Sequence, residues 1–236
     1  MKIAAMSDIH ANPVALEKVL AEIDAAGVDQ IVCCGDVVGY GPDPRGAIDI
    51  LRSRRIPTVM GNHDAAVAGL TDAETMNPFA RMGVERHRAC LGPEDLAWLA
   101  NLPYVHEGRD FACAHGDFWS PESFTYLTTD WESGRSFRVR DERFLFVGHV
   151  HVSLLFTAEP GRGFRMSAGR SFRAGAFSRH LFNVGSVGYP RAEPHSTWVM
   201  CDTVSGQVAY HRVAFDFEDY RRRLLAVGVE PPGWLD

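Results

Sequence analysis

Five apolar runs in this chain end at the same kind of junction, and that repetition restricts the fold more than any other feature. IAAM runs into Ser7-Asp8-Ile9-His10, and IVCC into Gly35-Asp36. TVM runs into Gly61-Asn62-His63-Asp64, FACA into His115-Gly116, and FLFV into Gly148-His149-Val150-His151. Each run has the length and composition of a buried strand, and each stops at Gly, Ser or His next to a group that can bind metal or move protons. In α/β sheets ligands collect at the carboxyl ends of strands, where loops converge, and glycine lets the backbone turn there. One Asp after a strand is usually a helix cap, and one His is usually a satisfied core or surface residue. Five such junctions together predict a single rim.

The elements between them alternate at first. Runs at 2–7, 30–34 and 57–60 read as strands. Asn12-Pro13 and Asp43-Pro44 read as N-caps with proline at the first helical position, and Gly27 reads as a helix stop. This β-α-β-α-β rhythm predicts parallel pairing at the start. Residues 64–103 read as mainly helical, with Thr71 and Glu74 matching a capping box. Strand-like runs then dominate at 111–114, 144–147, 152–157, 181–184, 197–202 and 207–214, and Ser205-Gly206 reads as a hairpin turn. Segment 157–180, rich in Gly, Arg and Ser, reads as loop or hairpin, and Asp216 with Asp219 opens a last helix. That many strands suit two sheets packed face to face with helices outside, in one domain over residues 1–236.

With 46% hydrophobic and 23% charged residues the chain has the make-up of a globular protein. A net charge of −6 argues against dedicated nucleic-acid binding. No apolar stretch approaches the roughly 18 residues of a membrane span. The five cysteines lie mostly in apolar runs and read as buried reduced thiols, which places the chain in the cytoplasm. His87, His106, His180, His195 and His211 lack the junction context and read as structural or exposed.

Carboxylates, imidazoles and an amide oxygen form a mixed donor set that suits Mn, Fe, Co, Ni or Zn. Two Asp and three or four His exceed the needs of one ion and suit two metals about 3.5–4 Å apart, which requires a bridging carboxylate. Which of Asn62, His63 and Asp64 would hold metal stays open on spacing alone.

Taken in order, the five junctions resemble the calcineurin-like metallophosphoesterase superfamily, whose blocks read D-x-H, G-D-x-x, G-N-H-[DE], a single His often followed by Gly, and G-H-x-H. The stretches GDVVGYGPDP (35–44) and NVGSVGYPR (183–191) are similar to small bacterial single-domain members. The resemblance covers nearly the whole chain and implies a four-layer α-β-β-α sandwich of two mixed sheets flanked by helices. It implies that Asp8, His10 and His151 hold one metal, that Asp36 bridges, and that Asn62, His115 and His149 hold the second. It also implies a turn between His149 and His151, because in an extended strand both would point the same way. Two departures stand out: Ala11 where many members have Gly, and Asp117 where relatives often have Ser. Asp117 would add an anion near the second metal and disfavour a highly charged monoester.

The expected cofactor is therefore a pair of divalent ions, manganese first, with Fe, Ni, Co or Zn as alternatives. The expected reaction is phosphodiester hydrolysis by a metal-bridging hydroxide, with His63 protonating the leaving oxygen and Asp64 capping or orienting. Gly185, Ser186 and Arg191 would line a phosphate pocket, or else form a Gly-rich turn between strands. The alternatives are a phosphomonoesterase or dinucleoside polyphosphate hydrolase and, from another class, a non-catalytic interaction scaffold of the same fold. Seven intact ligand positions favour the enzyme. The expected partner is a small phosphoester, without nucleic acid or membrane, and a homo-oligomer stays open.

Overall fold

The computed structural model describes residues 1–191 and 194–231. The chain begins with β1 (Lys2–Met6), α1 (Pro13–Ala26), β2 (Gln30–Cys33), α2 (Pro44–Ser53) and the short α3 (Asn62–Val67). Then come α4 (Pro78–Cys90), α5 (Pro93–Ala100), β3 (Val105–Glu107), β4 (Phe111–Ala114), α6 (Asp130–Val139) and β5 (Phe144–Val147). The hairpin of β6 (Ser153–Glu159) and β7 (Gly163–Ala168) is followed by β8 (Phe172–Arg173) and β9 (Arg179–Val184). A second hairpin, β10 (Ser196–Asp202) and β11 (Gln207–Val213), leads into α7 (Phe217–Ala226).

Among the described residues these strands make two mixed sheets, in the orders β2-β1-β10-β11-β8 and β3-β4-β5-β9-β6-β7. Strand alternation distributes the core into layers. Ile3, Ala5, Val32, Val199 and Cys201 of the first sheet meet Phe111, Phe144, Phe146, Phe182 and Val184 of the second in a buried cluster. The opposite face of the first sheet, with Ala4, Met6 and Trp198, packs on Leu16, Val19 and Ile23 of α1 and Ile48 and Leu51 of α2. The outer face of the second, with Ala112, Leu145 and Leu181, is covered by Phe137 of α6 together with Phe118 and Leu127. The result is the four-layer α-β-β-α sandwich.

Helix starts follow the cap chemistry. Asn12 Oδ1 accepts from the Ala15 N–H at 3.1 Å and Asp43 Oδ1 from the Gly46 N–H at 2.8 Å, each ahead of its proline. Asp216 caps α7 by accepting from the Asp219 N–H at 2.9 Å.

Several expectations change. Residues 57–60 make only one parallel bridge, Cys33 with Thr58, because Pro57 has no N–H and Met60 N turns away to the Pro103 carbonyl. The box expected at Thr71 and Glu74 does not form. Asp72 caps a short 3-10 turn over Ala73–Thr75 instead, accepting from the Glu74 N–H at 2.8 Å. Segment 157–180 is a hairpin arm plus the edge strand β8. All five cysteines are free, but Cys90 is exposed rather than buried. No helix among the described residues is long and apolar enough to cross a membrane.

Candidate metal centre

β1 and β2 are parallel in one sheet, and β4, β5 and β9 are parallel in the other, so within each sheet the junctions lie at one end. Backbone hydrogen bonds join them. Asp8 N donates to Gly35 O at 2.9 Å, His10 N to Asp36 O at 3.0 Å, and Gly148 N to His115 O at 2.9 Å. Across the sheets, His149 N donates to Asp8 Oδ2 at 3.0 Å. The turns are sharp. Asp8, His10, Asp36, His149 and His151 all adopt positive φ, between 48° and 72°. Non-glycine residues avoid that region unless the surroundings hold them there, and such strain gathers at functional sites.

Two glycines leave room for the carboxylates. A Cβ on Gly61 would run into Asp36 Oδ1, and one on Gly148 into Ser7 Oγ and Asp8 Oδ2. The motif glycines therefore sit where a side chain would displace a donor.

Three of the histidines share one arrangement. His10, His115 and His151 each donate Nδ1–H to a backbone carbonyl: Val38 at 3.1 Å, Cys34 at 2.7 Å and Tyr189 at 2.6 Å. In the neutral ring a bond of that kind fixes the tautomer and leaves the Nε2 lone pair free, as at metal-bound histidines. The Nε2 atoms of His10 and His151 then face each other at 3.0 Å, and His115 Nε2 lies 3.1 Å from His149 Nδ1 and 3.2 Å from Asn62 Oδ1. In the neutral form of both rings, with each Nδ1 already donating, no proton lies between the two Nε2 atoms, and a cation there would satisfy both lone pairs.

Asp36 stands between the two groups. Its Oδ1 accepts from the His63 N–H at 2.9 Å, and its buried Oδ2 has no hydrogen-bond partner although His115 Nε2 is 3.3 Å and His10 Nε2 3.7 Å away. Asp8, His10, Asp36 and His151 bring donor atoms within 4.8 Å of one another, and so do Asp36, His115 and His149. The residues thus fit metal: oriented lone pairs, an orphaned carboxylate oxygen and no thiolate. Burial would push both carboxyls up, but His151 and His115 hold Asp8, and His115 and His63 hold Asp36, well below the usual range. Burial, with the neighbouring imidazoles, pushes His149 down to about 3 and His10 well down. In His115 the charge of Asp36 overrides burial and lifts it to about 9.

The model of the calcineurin-like phosphoesterase superfamily domain matches residues 1–206. The chain belongs to that superfamily. As a member it is a metallophosphoesterase, a hydrolase of phosphoesters with a metal-binding cluster. A metallophosphoesterase from Sphaerobacter thermophilus of known structure is 31% identical, with a TM-score of 0.81, over 100% of this chain and 97% of that one. An uncharacterized protein of Methanocaldococcus jannaschii is 29% identical, covering 99% of this chain and 95% of its own length. A hypothetical protein of Pyrococcus horikoshii OT3, at 17% identity, shares the fold with a TM-score of 0.79 over 99% of this chain and 95% of that one.

The remaining motif residues of this metallophosphoesterase divide their tasks. Asp64 accepts from Val37 and Val38 N–H at 2.9 and 3.1 Å and from Gly61 N–H at 3.0 Å, so it caps α3 and ties down the loop after β2. Burial and then the charge of Asp36 push it up to about 7, while those N–H bonds pull the other way. His63 Nδ1 is buried without a partner, and its ring packs 4.7 Å from Tyr40 and 4.9 Å from His10. Burial pushes His63 down to about 4, below the ordinary imidazole range. Ala11 is left-handed at φ 52°, and Asp117 turns inward to accept from the Ser120 N–H at 3.0 Å.

Ser186 is buried, donates to the Asp8 carbonyl at 2.8 Å and accepts from the Tyr189 N–H at 2.8 Å. Gly185 turns at φ 79° beside Thr197, and Arg191 is exposed, its charge reaching the Tyr40 hydroxyl. Sequence reasoning missed the tyrosines. Tyr40 stacks on Tyr189 at 4.3 Å, and Tyr126 stacks on His149 at 3.8 Å. The GYG and GYP triplets were visible, but nothing local signals that residues 40 and 189 share a wall.

Proposed function

We propose that the chain is a single-domain phosphodiesterase that works with two divalent ions, manganese first. Asp8, His10 and His151 would hold one ion, Asn62, His115 and His149 would hold the other, and Asp36 would serve both. The observation that carries this reading is Asp36, which belongs to both donor groups and whose buried, unpartnered Oδ2 lies 3.3 Å from His115 Nε2 and 3.7 Å from His10 Nε2. When bound, the ions supply Lewis acidity, which brings the pKa of water to about 7 and neutralises charge on phosphoryl oxygens.

The chain supplies the rest. The carbonyls of Val38, Cys34 and Tyr189 hold three imidazoles with Nε2 inward. The His149 N–H fixes the Asp8 carboxylate, and the His63 N–H fixes Asp36. The neutral Asn62 adds a donor without adding negative charge, so the centre stays attractive to an anionic ester. His63 gives a proton to the leaving oxygen. The negative charge of a bound phosphoryl group favours the protonated imidazole, as Asp36 already does in part against burial.

The test is His63→Ala with metal content measured alongside turnover. The expected result is full metal content and kcat lowered by about 10²- to 10⁴-fold, most for esters with poor leaving groups. Loss of metal would make His63 a ligand instead. Absence of turnover on any phosphoester, in wild-type protein loaded with two ions, sinks the enzyme reading.

A further inference from the structure

A cleft of about 480 Å³ opens beside the metal centre, with Asn62, His63 and His149 on its floor. Because His63 faces it, the cleft lies on the side where the leaving group departs. Its walls mix neutral polar residues with aromatic and acidic ones. Tyr40, Phe124 and Tyr126 line it, Asp72 and Glu122 stand at its edge, and no lysine or arginine is among its described wall residues.

Tyr126 is the accessible ring. One face stacks on the His149 imidazole at 3.8 Å and 21°, no other ring contacts it among the described residues, and the residue is 48% exposed. Tyr40, in contrast, is buried between Tyr189 at 4.3 Å and His63 at 4.7 Å. A flat, half-exposed ring at the mouth of a charged centre is a stacking platform for another flat ring. Asp72 and Glu122 take part in no ion pair among the described residues, and Ser120 Oγ donates to Glu122 at 2.8 Å. Ionised carboxylates at the mouth repel a second negative charge on the substrate within a Debye length of about 8 Å.

Building on the phosphoesterase reading above, we infer that the substrate is a singly charged phosphodiester whose leaving arm carries a planar aromatic group of nucleobase size, stacked on Tyr126. A dianionic monoester and a polyphosphate carry more charge than this mouth favours. Tyr126 sets specificity for the arm. Glu122 and Asp72 set it for charge.

Competitive inhibition constants, with bis(p-nitrophenyl) phosphate as the turned-over ester, test the arm. Dithymidine monophosphate and diethyl phosphate are both singly charged diesters, and only the first has rings. Wild-type protein should bind the first roughly 5- to 100-fold more tightly, the range expected of base–aromatic stacking. Tyr126→Leu should erase that difference at unchanged metal content, and Tyr126→Phe should keep it. Equal constants in the wild type, or an unaltered difference in Tyr126→Leu, would overturn the inference. For charge, kcat/KM for the diester should exceed that for p-nitrophenyl phosphate, and Glu122→Gln should narrow the gap a few-fold at low salt. A faster monoester in the wild type would also overturn it, while leaving the phosphoesterase reading intact. No turnover of either ester by metal-loaded protein would instead remove the reading on which the inference rests.

Discussion

His87 illustrates how a single buried group serves the site without touching it. Its Nδ1 accepts from the Gly39 N–H at 2.9 Å, and its Nε2–H donates to the Gly41 carbonyl at 2.9 Å, so the neutral ring clamps both sides of Tyr40. Burial, and then the adjacent Arg86 charge, push it down to about 3. Below about pH 6.5 the unfolded chain takes up a proton that folded His87 refuses, so its share of stability is full above that pH and is lost as pH falls towards 3. Urea unfolding of wild type and His87→Gln across pH 4–7 should differ in slope by up to about 1.4 kcal/mol per pH unit, the variant being flatter. Equal slopes would show that His87 titrates normally. The sequence placed His87 outside the site, and its chemistry there is indeed structural. That it props the loop bearing Tyr40 was not legible, because residues 39 and 87 meet only through tertiary packing.

The elements that carry the donors were readable because each signal is local. An apolar run followed by Gly-Asp or Gly-His states its own turn, and Asn-Pro or Asp-Pro states its own helix start. α6 escaped notice because its apolar residues are few and Trp131 and Val139 point outward. β8, with two residues, is too short to have a period. α4 was expected only as helix, yet it holds the loop that bears Tyr40. Gly83 packs against Tyr40 N so closely that a Cβ would clash, and Arg86 donates to the carbonyls of Tyr40, at 2.7 Å, and Gly41. Arg86→Ala should cost about 1–3 kcal/mol of stability, as expected for charge-assisted bonds with a buried carbonyl left behind. It should also raise KM with kcat largely kept, because the wall beside His63 loosens while the donors stay. Steady-state kinetics with metal analysis reads both, and an unchanged KM would argue that the loop stands without the clamp.

At the scale of the whole molecule, the candidate metal centre joins the two sheets. Asp8 and Asp36 follow strands of one sheet, and His115, His149 and His151 follow strands of the other. Metal bound there is linked to the folding of both sheets together. At a free ion concentration 1,000 times its Kd, each ion should add about 4 kcal/mol, so Tm should rise with Mn²⁺ and fall with a chelator in one cooperative transition. A chelator that leaves Tm unchanged would mean that the donors do not hold metal in solution. The choice of Asn62 over His63 and Asp64 came only with the family resemblance. The candidate donor types, their positions at strand ends and the α/β layering follow from neighbours along the chain, since turns and alternation are local properties. Sheet order, the opposite assignments of His149 and His151 at φ 72° and 62°, the facing Nε2 atoms and the tyrosine wall do not. Those join residues up to 200 positions apart (Lys2 beside Asp202), and only tertiary packing sets them.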